Sequence, residues 1–300
     1  MTNSVVDQAE RLRRPAGIRS LTLGDMRVSY VPDGAVRLPP RGWLPDTTEE
    51  VWITHPDYLD ASGHLVASIG GLLVEHGDRA LLIDAGFGPQ SLPPDPSTPR
   101  GDIHGGALLE SLAELGRGPE EIEAVAFTHL HSDHLGWAWH PAPGSDRPVF
   151  AHADYLVSES EWAERDVMAE EVTAMASRVR TVTEGQEIFP GVRVRITAGH
   201  TAGHAEYVVT SGGQRLIAFG DALHSPIQLD HPEWSASVDH DPARSADHRR
   251  RLVAELEEPG TIGFGVHFAD VVFGRVRRDG DGPAWRPVDA DASPAAWHRP

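Results

Sequence analysis

Five apolar, β-rich runs in this chain each lead directly to a histidine or an acidic residue. Arg79 to Asp84 closes on Asp84-Ala85-Gly86, Ala124 to Thr128 on His129, Val194 to Ala198 just ahead of His200, Leu216 to Gly220 on Asp221, and Ile262 to Val266 on His267. Short strands separated by helical patterns specify an α/β architecture, and such architectures build their sites in the loops that follow strand ends. The pattern therefore constrains both the fold and the place where function sits, at a rim of strand ends.

The remaining elements fit around those runs. Leu21 and Leu23, a Gly24-Asp25 turn and Met26 to Val31 read as an opening hairpin, and Leu65 to Glu75 joins Arg79 to Asp84 across Gly77-Asp78 as a second. Residues 32 to 64, rich in Pro, Gly, Asp and Trp with poor periodicity, read as a long loop suited to covering a site or forming an interface. Leu108, Leu109, Leu112 and Leu115 recur at helical spacing before Gly116. A second helix has Asp241 as N-cap, Pro242 at its first position and Leu252, Val253 and Leu256 on its apolar side. The expected organisation is a polar N-terminal extension over residues 1 to 17, one domain over 18 to 288, and a loosely ordered tail over 289 to 300.

Cysteine is absent, so any transition-metal site must use imidazole and carboxylate, and the 17 histidines become the residues to explain. Three histidines and an aspartate fall within six residues in His129-Leu-His-Ser-Asp-His134, which the preceding strand delivers into a loop. On an extended backbone His129 and His131 share a side, while Asp133 and His134 turn toward a neighbouring position, so one short segment feeds two metals. These ligand types suit zinc first, and also manganese, iron or cobalt. The formal net charge of -19, from 45 acidic against 26 basic side chains, argues against nucleic acid or an anionic membrane as the main partner and favours a small molecule. No run of 18 apolar residues and no signal-like start is present, so a cytoplasmic location is the expectation.

With these segments in view the chain resembles the metallo-β-lactamase superfamily. The likeness spans residues 18 to 278 and rests on Leu82-Ile-Asp-Ala-Gly86, Thr128-His-Leu-His-Ser-Asp-His-Leu-Gly136, Ala198-Gly-His-Thr-Ala-Gly-His204, Phe219-Gly-Asp-Ala222 and Gly265-Val-His267 in that order. The resemblance implies an αββα sandwich, two mixed β-sheets flanked by helices, and often a homodimer. It also implies that His129, His131 and His200 hold one divalent metal, that Asp133, His134 and His267 hold the other, and that Asp221 bridges them. His204 would pack or hydrogen-bond behind His200, and Asp84 would support the metal loop. Of the histidines after Asp221, only His267 directly follows an apolar strand, whereas His224, His231, His240 and His248 do not.

The implied chemistry is hydrolysis by a hydroxide shared between two metals, attacking a small ester, lactone or phosphotriester. Asp133 is a candidate proton shuttle. His224 stands where related lactonases carry a tyrosine that touches the substrate carbonyl, and together with the segment around it resembles methyl parathion hydrolase and its lactonase-like relatives. His224 is therefore read as an oxyanion or substrate contact. Phe87, Trp137, Trp139 and Phe268 adjoin the site loops and are candidates for an apolar pocket wall. The competing readings are a glyoxalase-type thioesterase, for which no basic cluster is evident, and a non-haem iron oxygenase. A β-lactamase fits less well, and a nuclease is disfavoured by the acidic balance.

Overall fold

The computed structural model describes residues 7–166, 169–280 and 282–289. The first sheet contains β1 (Arg19–Leu23), β2 (Met26–Leu38), β3 (Leu65–His76), β4 (Arg79–Ile83), β5 (Ser91–Leu92), β6 (Ile103–His104), β7 (Ala124–Ala126), β8 (Asp154–Ser158) and β9 (Val179–Val182). Its order is β5-β6-β2-β3-β4-β7-β8-β9, with β1 also on β2; the pairs from β4 through β9 are parallel. The second sheet runs in sequence order through β10 (Glu187–Phe189), β11 (Val192–Ile196), β12 (Ala205–Ser211), β13 (Gln214–Ala218), β14 (Thr261–Phe264), β15 (Phe273–Asp279) and β16 (Gly282–Pro287), and only β13 and β14 pair in parallel.

Strand alternation sorts the apolar side chains into layers. Leu72, Val74, Leu81, Ile83 and Ala126 from the first sheet meet Val194, Tyr207, Leu216, Ala218 and Phe264 from the second in one buried cluster. The intervening residues point outward. Leu73, Leu82 and Val125 pack under Leu108 and Leu112 of the helix Leu108–Glu114 and Leu135 of the helix Ser132–Trp139. Ile217 and Phe219 pack under Leu252, Val253 and Leu256 of the helix Pro242–Leu256, which Asp241 caps by accepting from the Arg244 amide. The result is the expected αββα sandwich, with helices outside both sheets. Among the described residues no helix is long and apolar enough to cross a membrane.

Two expectations need correction. Residues 32 to 64 are not one loop, because β2 continues to Leu38 across a register shift between Pro32 and Gly34 and stays paired with β3. The Pro32-Asp33-Gly34 triplet is a bulge in a paired strand, and Gly34 is needed there since a Cβ would collide with the His104 backbone of β6. The helices Pro40–Trp43 and Glu49–Thr54 follow. Second, the metal-binding motif is not wholly in a loop, because its second half opens the helix Ser132–Trp139.

The polar stretch before Ile18 packs onto the domain. Leu12 is buried against the helix Pro242–Leu256 cluster, and Arg11, Arg14 and Arg19 all reach Asp270. Hydropathy alone missed this anchoring because arginine binds through charge rather than apolar area. The tail expected over 289 to 300 lies outside the described residues apart from residue 289.

Candidate metal centre

Four short strands end around one point. β7 leads to His129 and His131, β11 to His200, β13 to Asp221 and β14 to His267, so residues far apart in sequence converge at the same edge of the sandwich. The ligand-type atoms of His129, His131, His200 and Asp221 lie within 4.8 Å of one another, as do those of Asp133, His134 and His267.

Asp221 joins the two groups. Its Oδ2 lies 3.3 Å from His200 Nε2 and 3.7 Å from His129 Nε2, while its Oδ1 lies 3.0 Å from His267 Nε2 and 3.2 Å from His134 Nε2. Asp133 Oδ2 completes the second group at 3.7 Å from His267 Nε2 and 3.8 Å from His134 Nε2. His131 Nδ1 completes the first, 3.1 Å from His200 Nε2.

The opposite ring nitrogens of four of these histidines are engaged. His134 Nδ1 donates to Asp84 Oδ2 at 2.9 Å, His200 Nδ1 to Asp239 Oδ1 at 2.8 Å and His267 Nδ1 to the Ser68 carbonyl at 2.8 Å. His129 Nδ1 lies 3.1 Å from Thr128 Oγ1, which itself donates to Asp84. An oxygen that can only accept forces the proton onto Nδ1 and leaves a lone pair on Nε2, so the surrounding shell turns the rings into cation ligands. The buried Nε2 atoms of His129 and His134 make no hydrogen bond to the described residues, a costly arrangement unless a cation takes those lone pairs. The donor set, imidazole and carboxylate without thiolate, fits two divalent cations.

Electrostatics divide the candidate ligands: burial favours neutral rings, but Asp221 overcomes it at His134, His200 (held at about 9) and His267, so a cation there would take the place of a proton. Burial opposes ionisation of Asp221, yet His267 and His134 draw its carboxyl well below the ordinary range, so it stays an anion. Burial pushes His129 far down, helped by His134, and brings His131 to about 4, helped by His200. Both rings are therefore neutral and able to coordinate.

The family model for the metallo-β-lactamase superfamily matches residues 72–265. The chain belongs to the metallo-β-lactamase superfamily. A metallo-β-lactamase domain-containing protein 1 from Xenopus laevis is 29% identical over 72% of this chain and 81% of its own length. An N-acyl homoserine lactonase from Bacillus cereus is 22% identical over 62% of this chain and 76% of its own. Among solved structures, the dizinc quorum-quenching lactonase AidC superposes with a TM-score of 0.77 at 21% identity, covering 92% of this chain and 99% of that one. The hydrolase AbOPH of the β-lactamase superfamily does so with 0.72 at 25% identity, covering 91% and 98%. Like the metallo-hydrolases of that family, the chain is a metal-dependent hydrolase.

The other sequence candidates of this superfamily member divide into those near the centre and those buried elsewhere. Asp84 adopts φ 62 at the end of β4 and accepts from the Thr128 amide, the Thr128 hydroxyl and His134. His204 lies behind Asp221, where its Nε2 accepts from the Asp221 amide at 3.1 Å and its Nδ1 meets Thr197 Oγ1. His224 lines the cavity at the centre, stacks on His267 and donates from Nε2 to Asp221 Oδ2 at 3.1 Å. Burial lowers its pKa, so in the neutral ring its one proton is already spent on Asp221. The expected role of His224 as an oxyanion or substrate contact rests on that place in the cavity lining. The remaining atom, Nδ1, is an acceptor with no partner among the described residues.

None of the four aromatic candidates lines that cavity. Phe87 is buried behind its wall in the cluster of Val36, Leu38 and Ala67, and the Trp137 indole donates to Asp33 in the layer under the first sheet. Trp139 packs on that same layer with its ring over His140, and Phe268 is enclosed by Phe219 and Trp285. Proximity in sequence to a ligand misleads here because neighbouring side chains on a strand or helix point to different faces.

The wall is made instead by Val36, Leu38, Trp43 and Ala67, opposite the candidate ligands. Val36, Leu38 and Trp43 fall in the segment that reads as a loop. Two buried carboxylates were also missed. Asp33 accepts from the amides of Phe87, Gly88, Gly106 and Leu108 and so ties down the turn after Asp84. Glu161 accepts from the Leu130 amide, the Gly203 amide and Thr201 Oγ1, clamping the two loops that carry His129, His131 and His200. Ser158-x-x-Glu161 carries the signal of a helix start, and Ser158 does cap the Glu161 amide, but nothing local reveals where the Glu161 carboxylate points.

Proposed function

We propose that this protein is a two-metal hydrolase of a small lactone, ester or phosphotriester, with Asp221 shared between two cations and zinc the expected metal. The observation that carries this reading is the division of the Asp221 carboxylate, one oxygen beside His129 and His200 and the other beside His134 and His267. His129, His131 and His200 would hold one cation, and Asp133, His134 and His267 the other. Cations bound there supply a water nucleophile at neutral pH and an electrophile for the oxygen that gains charge.

The chain's own residues supply orientation and proton handling. Asp133, the more exposed of the two central carboxylates at 21% against 5% for Asp221, is placed at the cavity to pass a proton toward solvent. His224 grips Asp221 from the cavity side, and Val36, Leu38, Trp43 and Ala67 offer apolar surface to an acyl or alkyl group. The N-acyl homoserine lactonases among its relatives put lactones first among the three classes.

The test couples metal content by plasma mass spectrometry to a hydrolysis screen of lactones, aryl esters, thioesters and a phosphotriester. About two zinc per chain with turnover of a lactone is the expected result. Iron with oxygen uptake, or thioester turnover alone, would overturn the reading.

A further inference from the structure

Behind His200 stands a buried ion pair that the hydrolytic reading does not use. Asp239 is buried and accepts from His200 Nδ1 through Oδ1 at 2.8 Å, while its Oδ2 accepts from Arg249 Nη1 at 3.1 Å. Arg249 is completely buried on the inner side of the helix Pro242–Leu256. Its remaining nitrogens are committed, Nε to the Pro232 carbonyl at 2.6 Å and Nη2 to Ser235 Oγ at 2.5 Å. The same stretch holds the His200 backbone, since the His240 amide donates to the His200 carbonyl at 3.0 Å and the Asp241 amide to the Gly199 carbonyl at 2.8 Å.

A guanidinium removed from water is expensive, and packing alone would be served as well by an apolar side chain. Its geometry suggests why it is there. With each of its three nitrogens held, Arg249 fixes the orientation of Asp239, and the oxygen left over is aimed at His200 Nδ1. A carboxylate can only accept, so Asp239 keeps a proton on Nδ1, and a cation replacing the proton that Asp221 Oδ2 favours on Nε2, 3.3 Å away, would find that lone pair free.

We propose that Asp239, held by Arg249, is a positioning residue for the cation of His129, His131 and His200 alone. The counterpart for the other cation is Asp84 on His134. This inference rests on the two-metal reading and adds a division of labour: Asp239 acts on the first cation alone, while Asp84 meets His134 directly and reaches His129 only through Thr128.

The substitution Asp239→Asn tests it. The amide keeps the shape, but its oxygen turns to Arg249 and its NH2 to His200, which drives the His200 proton onto Nε2 and removes that ligand. Zinc titration of the metal-stripped full chain against a chromophoric chelator is expected to resolve two affinities in the parent. In the variant one should weaken roughly 10- to 100-fold and the other should stay unchanged. In a His200→Ala background Asp239→Asn should then add no further loss of metal affinity, since it acts only through His200.

Two unchanged affinities in Asp239→Asn, or equal loss of both with a fall in melting temperature, would overturn the proposal and leave the two-metal reading standing. A parent that binds fewer than two zinc ions would overturn that reading and this inference with it. Should Asp239→Asn fail to fold, Arg249→Lys, which keeps the charge but loses the fork, is expected to weaken the same single affinity, and no change there would equally sink the idea.

Discussion

At the scale of single residues, the centre depends on which atom of each side chain faces inward. Asp221 is the one group that touches both clusters, so Asp221→Ala should reduce hydrolysis to background and lower the zinc content of purified protein while far-UV circular dichroism stays unchanged. Unaltered zinc content would show that Asp221 is not shared. His224 donates to Asp221 and presents an unpartnered Nδ1. His224→Ala should therefore retain both metals and lower kcat more than it raises KM, as expected for an interaction that matters mainly in the transition state. Much of this was legible from the chain. The ligand types are chemically distinctive and recur after apolar runs, whereas the ring nitrogen each histidine uses depends on Asp84, Asp239 and the Ser68 carbonyl, which no local pattern connects to them.

At the scale of elements, the helices are fixed by close backbone approaches and by buried carboxylates. Gly136 lies in the helix Ser132–Trp139, and a Cβ there would run into the backbone of Phe87 and Gly88. Because backbone cannot swing aside, Gly136→Ala should cost about 1–3 kcal/mol and disturb the helix that carries Asp133 and His134, measurable as a lowered urea midpoint with weakened zinc binding.

On the other side, Arg195 of β11 pairs with Glu206 of β12 and with Glu255 of the helix Pro242–Leu256, and His248 of that helix also pairs with Glu206. Burial would raise the pKa of Glu206, but His248 and Arg195 overcome it and hold the carboxyl below its usual value. A depressed folded pKa means that its stabilisation is present above the unfolded value of about 4.3 and is lost as pH falls through the folded one. Glu206→Gln should thus cost about 3 kcal/mol or more at pH 7 and flatten the acid limb of the stability profile. A profile parallel to the parent would refute that account. These links were not legible, since His248 in isolation reads as a solvated or packing residue of a helix.

At the scale of the whole molecule, the candidate ligands come from both sheets, with His129 to His134 following the first and His200, Asp221 and His267 the second. A cation bound across that edge favours the folded chain by mass action, by about 2.7 kcal/mol for free metal at 100 times its dissociation constant. Chelation should therefore lower the melting temperature, zinc should restore it, and Asp221→Ala should be insensitive to both.

What the amino-acid sequence determines by itself is whatever repeats over short distances: strand alternation, helix caps such as Asp241, glycine turns, and the clustering of imidazole and carboxylate after apolar runs. These are enough for an α/β architecture with candidate metal ligands at its rim; the αββα layering follows only from the family resemblance. Only the tertiary structure decides that β2 continues through a bulge to supply Val36 and Leu38 to the cavity, and that Asp270 anchors the polar N-terminal segment. It also decides that Asp221 divides its two oxygens between four histidines, and that Asp239 and Arg249 stand behind one of them. The physical reason is range. Hydrogen bonds and coordination act over about 3 Å, whereas the partners they join here lie 199 positions apart along the chain for His267 and Ser68 and 256 for Arg14 and Asp270.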